Sequence, residues 1–200
     1  MKRMKISALL GSFLLAAPAL AQSPGTDICL PGQNGVMACP CNNPPAGTGK
    51  GCANFGPSTA GQSASLSATG VASVTDGSDT LSLMAVGTND TVLTVFLQAS
   101  TPSAAGAAYG AGVSCLSGTP LMLYHGKAGT GEPAGQITRP RVTDPAIHNR
   151  STQLGDQIQA GQTRIYMAGY RDKSAALAAH CNSATATTNS TQGVSVVWGP

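Results

Sequence analysis

The residues able to do chemistry are few and scattered. Three histidines, His125, His148 and His180, stand singly, with neither the H-E-x-x-H nor the H-x-H spacing that brings two imidazoles onto one metal. A G-x-S-x-G nucleophile turn is missing. Glycoside hydrolysis needs two opposed carboxylates, but acidic residues are scarce and Glu132 is the single glutamate. Asp144 and His148 share one polar stretch, where such pairs are common. The run AGTGKG at 46–51 invites a phosphate-loop reading, yet Pro44 stands where the first glycine belongs and Gly51 where Ser or Thr belongs. Asp76 and Asp79 flank Gly77-Ser78 without the further acidic ligands of a calcium loop, so this is a turn. No catalytic residue, metal site or cofactor is assigned, and a hydrolase ranks last among the functional readings.

Six cysteines carry the other possible chemistry: Cys29, Cys39, Cys41, Cys52, Cys115 and Cys181. An even number in an exported chain reads as disulfides, and six allow many connectivities. Cys39 and Cys41 are poor partners, because a bridge across one residue strains the backbone. The favoured set is Cys41 with Cys52, Cys115 with Cys181, and Cys29 with Cys39. A zinc knot is the rival reading, but the second pair of ligands it needs is missing.

Binding chemistry has better candidates. Sugar-binding sheets stack pyranose rings on exposed aromatics and hold hydroxyls with Asp, Asn, Gln and Arg. Tyr109, Tyr124, Tyr166 and Tyr170 are available, with Arg164 and Arg171 beside the last two. The competing reading places Tyr166 and Tyr170 in the core or against a neighbouring strand. Trp198, on the apolar side of its run, reads as a core residue. Sequons at Asn89, Asn149 and Asn189 matter only in a host that glycosylates them.

The elements that must position these residues are strands. In 163–172, Ile165 and Met167 alternate with Tyr166, Ala168 and Tyr170. Near the end Val194, Val196 and Trp198 alternate with Ser195 and Val197. Period-two patterns of β-branched and aromatic residues predict half-buried antiparallel strands. Similar patterns occupy 63–74, 80–86, 91–98 (the most hydrophobic, expected to be central) and 121–127, with a short one at 136–142. Leu81, Leu83 and Ala85 share one face. Residues 99–119 and 129–156 read as long loops, and the alanine-rich 174–180 as one or two helical turns. The expectation is an all-β antiparallel β-sandwich, jelly-roll-like, over 63–200. A Cys/Gly/Pro-rich irregular segment at 22–62, held by disulfides, precedes it.

Lys2, Arg3 and Lys5 precede an apolar run over 6–17, and Ala19-Leu20-Ala21 supplies a small-residue cleavage site. Residues 1–21 are therefore expected to be a signal peptide, removed after Ala21, and the run is too short to span a bilayer. The location expected is periplasmic or extracellular, without membrane insertion once the signal is gone. The net charge of +3 lies in that segment. The remaining balance is neutral and offers no basic stripe for nucleic acid.

Tyr170-Arg171-Asp172, then Cys181, then Asn189 and Thr191 through Trp198 and Pro200 form a recognisable ending. Cys39-Pro40-Cys41 with Gly51-Cys52, and Gly112 to Cys115, complete the pattern. Over 39–200 the chain resembles a secreted cysteine-containing β-domain family of planctomycete-type bacteria, a family of unassigned function. Cys29 and the Ala/Ser/Thr stretch around Asn189 depart from it. The resemblance implies a structural framework and no activity. The reading is a secreted structural or interaction module with a surface protein or polysaccharide as partner, and a carbohydrate-binding or adhesive module as the alternative.

Overall fold

The computed structural model describes residues 24–173, 181 and 187–200. The expected signal peptide at 1–21, His180 and the expected helical turns at 174–180 lie outside the described residues. The chain is nearly all-β, 40% strand and 4% helix, with antiparallel sheets and three disulfides.

The strands are β1 (Gly25–Ile28), β2 (Ser65–Thr69), β3 (Ser82–Val86), β4 (Leu93–Ala99), β5 (Pro102–Tyr109) and β6 (Gly112–Leu116). They continue with β7 (Leu121–Lys127), β8 (Gln136–Arg139), β9 (Thr163–Arg171), β10 (Thr188–Ser190) and β11 (Gly193–Val197), with a helix, α1 (Ile147–Gln153), between β8 and β9. The large sheet runs β1-β11-β9-β4-β7, and β10 also pairs with β9. A second sheet runs β2-β3-β8, and β5-β6 form a hairpin.

The main core lies between the first two sheets. Phe96, Tyr166, Val194 and Val196 of the large sheet meet Leu66, Leu83 and Ile137 of the smaller one, and Trp198 fills the end. The other face of the large sheet is apolar too. Ile165 and Met167 pack there under Leu116 of the hairpin. This corrects the expectation that β9 is half-buried: its alternation is real, but both faces are covered, because the hairpin adds a layer. Burial on both sides of a strand is the pattern of an interior strand. β11 keeps the expected alternation, with Val194 and Val196 buried and Val197 exposed.

Three further expectations change. Residues 99–119 contain the β5-β6 hairpin rather than a loop excursion. β5 is built mainly of Ala, Ser and Gly, whose small side chains give little periodic signal. Within 129–156, β8 is shorter than expected and α1 follows it. Ala146 gives α1 no side-chain cap; instead Asp79, from the expected turn, accepts the His148 N–H at 2.9 Å. The irregular 22–62 segment contributes β1, an edge strand on β11. Gly-Thr-Asp-Ile has no strand signal of its own, and its conformation comes from the partner.

All six cysteines are paired, as expected, but every expected pairing is overturned. The bonds are Cys29–Cys115, Cys39–Cys52 and Cys41–Cys181, with Cα separations of 5.6, 5.7 and 4.4 Å. Neighbourhood in sequence misleads here. Cys29 leaves β1 beside β6, so Cys115 meets it in one cluster with Val113. Cys41 instead reaches Cys181 beside Ala111 and Phe55. The N-terminal segment is thus closed on itself once and tied to the β-body twice.

Candidate functional site

The tyrosines and arginines expected near a ligand divide sharply. Tyr166 and Tyr170 are buried, which corrects the idea of a binding platform on these two: their rings face the core, as the β9 alternation dictates. Tyr166 accepts from Trp198 Nε1 at 3.1 Å, and Tyr170 donates to Asn54 Oδ1. Tyr124 is also buried and donates to the Pro145 carbonyl at 2.7 Å. Burial pushes all three hydroxyls above the ordinary phenol range. Arg164 is buried in an ion pair with Asp156, so it too is withdrawn from a surface role. Of these residues, Tyr109 and Arg171 line a small surface cleft with Leu93, Val95, Gly169 and Thr188, and the buried Tyr170 also borders it.

No motif announces the buried polar knot around Asp172. This carboxylate is fully buried and accepts from the Phe55 and Gly56 N–H groups at 3.0 and 2.6 Å. Asn89 Nδ2 and Asn189 Nδ2 add bonds of 2.9 and 3.1 Å. Four donors on one buried carboxylate satisfy the charge that burial would otherwise penalise. The knot ties the N-terminal segment to β9 and β10, so Tyr170, Asp172 and Asn189 serve the architecture. Two of the three sequons, Asn89 and Asn189, are buried in it.

Two of the larger clefts among the described residues stand out. One, of about 600 Å³, lies between β1 and β2 and is lined by Thr26, Asp27, Ser65, Ser67 and Gln192. Gln192 ties its walls together: Oε1 accepts from Leu66 N at 3.0 Å, while Nε2 donates to the Leu66 carbonyl and Asp27 Oδ1 at 2.7 and 3.0 Å. The other, of about 510 Å³, is mainly apolar and includes Ile28, Val36, Pro102 and Ile165. Among the described residues no group of three His, Cys, Asp or Glu side chains gathers as a metal site.

The outer face of the large sheet offers the most organised surface. On β4, Thr94 and Phe96 face the core, so Leu93, Val95 and Leu97 face outward. Register places Lys127 beside Leu93, His125 beside Val95 and Met122 beside Leu97. One step past the Thr94–Tyr170 pair, Arg171 stands on the other side of Leu93. Leu93 is 43% exposed and Met122 50%, and Lys127, His125 and Arg171 are exposed as well. Tyr109 closes the inner border by lying over Gly169, where a β-carbon would stand 2.5 Å from its hydroxyl.

The free edge of β7, at the border of this face, is covered. Arg150 Nε donates to the Leu123 carbonyl at 2.9 Å, and Arg139 Nη2 to the His125 carbonyl at 3.1 Å. Two guanidiniums therefore occupy acceptors that another strand would use, a device that blunts edge pairing. Burial lowers the pKa of Arg139, with Arg141 adding to the effect and Asp144 and Glu132 opposing it.

The arrangement is a partly apolar strip bordered by Lys127 and Arg171. No family model, curated protein or solved structure matches the chain.

Proposed function

We propose that the protein is a secreted structural or interaction module of the cell surface or periplasm, with the outer β4–β7 face as its contact surface. The observation that carries this is the strip of Leu93, Val95, Leu97 and Met122 on one sheet face, exposed at Leu93 and Met122 and half-buried at Val95 and Leu97. Apolar side chains exposed together, rather than singly, mark contact sites. The basic and apolar pattern at the start of the sequence and the three disulfides support export. Among the described residues no helix is long and apolar enough to cross a membrane.

A carbohydrate-binding role is the second reading, favoured by Tyr109 standing beside Arg171 in one cleft. The deciding experiment is binding of the oxidised chain from Gln22 to Pro200 to extracellular material, read by hydrogen exchange. Protection centred on β4 and β7, lost in a Leu93→Asp, Met122→Asp double variant that stays folded, supports the contact face. Protection elsewhere, or turnover of glycan or ester substrates, overturns it.

A further inference from the structure

The β4–β7 strip also carries information about what it touches. Building on its reading as the contact face, we propose that it docks an acidic protein surface, one presenting aliphatic side chains beside carboxylates.

The floor of the strip is aliphatic. Leu93, Val95 and Leu97 occupy alternate positions along β4, a stripe of roughly 13 Å at the rise of an extended strand, with Met122 widening it at the Leu97 end. Sugars bind through aromatic faces rather than through Leu, Val and Met. Tyr109, at the border, lies against Gly169, and Tyr170 is buried. The floor therefore favours a protein over a polysaccharide.

The rim is cationic, and among the described residues neither Lys127 nor Arg171 forms an ion pair. Lys127 and Arg171 bracket Leu93, about 10 Å apart across two strand spacings, and His125 stands beside Val95. None of β4, β5, β6, β7, β9 or β10 contains Asp or Glu. The carboxylates nearest in sequence are engaged elsewhere. Asp90 accepts from the Thr91 and Gly135 N–H groups, and Asp172 is sealed in its knot. A neutral mature chain thus presents a locally positive face. Two copies meeting through it would set like charges together, so a second copy of this chain is disfavoured, whereas carboxylates are attracted. The geometry is that of an apolar centre within a charged rim.

The test is titration of the ¹⁵N-labelled mature chain with three probes: a soluble peptide alternating Leu and Glu, its Leu/Lys counterpart, and polygalacturonate. The expected result is saturable binding of the Leu/Glu peptide, with shifts confined to β4, β7 and the Arg171 end of β9. Binding should weaken severalfold when salt is raised, as screening predicts. Leu93→Asp and Met122→Asp, at exposed positions, should each weaken it at least tenfold while the spectrum stays folded. Polygalacturonate binding the same amides as tightly would keep the contact face and overturn the protein partner. Equal binding of the Leu/Lys peptide, or no binding of the Leu/Glu peptide, would overturn the acidic partner. Shifts of the Leu/Glu peptide on another surface would overturn both the partner and the face.

Discussion

Arg164 grips Asp156 at two points, Nε to Oδ2 at 2.8 Å and Nη2 to Oδ1 at 2.7 Å, and Gln98 Nε2 donates to the same Oδ2 at 2.8 Å. The Arg164 bonds hold the Asp156 carboxyl below its ordinary range, against an opposing push from burial. A depressed carboxylate stabilises the fold above its unfolded pKa of about 3.9, and that contribution disappears as pH falls through the folded value. Asp79 has the opposite sign. Burial raises its pKa despite the His148 N–H, so it favours the folded state on the acid side. Asp156→Asn should flatten the acid loss of stability and Asp79→Asn should steepen it. Urea midpoints between about pH 5 and 2 check both. At neutral pH, Asp156→Asn should cost about 2 kcal/mol. This is less than a fully buried pair would lose, because the Asp156 side chain is 26% exposed.

Gly169 is required by space. Its φ is not in the left-handed region, but a β-carbon would stand 2.5 Å from the Tyr109 hydroxyl and 2.8 Å from its ring. Gly169→Ala should destabilise by about 1–3 kcal/mol, the usual cost of overpacking. Tyr109→Ala added to it should recover part of the loss. Thermal unfolding of the four members of this cycle measures the coupling.

The disulfides differ in the loops they close. Cys29–Cys115 spans 86 residues and Cys39–Cys52 spans 13. Chain-entropy reasoning makes removal of the longer link costlier by about 1.5 kcal/mol. Paired Cys→Ala variants, compared in urea, check the order. Peptide mapping of the oxidised protein should recover the Cys29–Cys115, Cys39–Cys52 and Cys41–Cys181 links.

At the β7 edge, Arg150→Met keeps much of the aliphatic stem but removes the donor to the Leu123 carbonyl. The expected loss is about 1–2 kcal/mol, the cost of one charge-assisted hydrogen bond. The urea midpoint should fall, and amides of β7 should exchange faster. An unchanged midpoint would mean that water serves this carbonyl equally well.

The sequence by itself determined the all-β class, most strand positions and the pairing of every cysteine with another. Alternation in β9 and β11 and the shared face of Leu81, Leu83 and Ala85 came through because period-two burial is written locally. It also established that the residues of the usual catalytic motifs are not spaced for them. Only the tertiary structure decided the rest. β1 has no strand signal and takes its form from β11. The β5-β6 hairpin hides in small residues, yet it covers the outer face of β9 and thereby withdraws Ile165 and Met167 from water. The disulfide partners follow from which chain ends lie side by side, a long-range property that spacing does not encode. The same holds for the strip. Leu93, Met122, Lys127 and Arg171 come from three strands, and register alone sets them on one face.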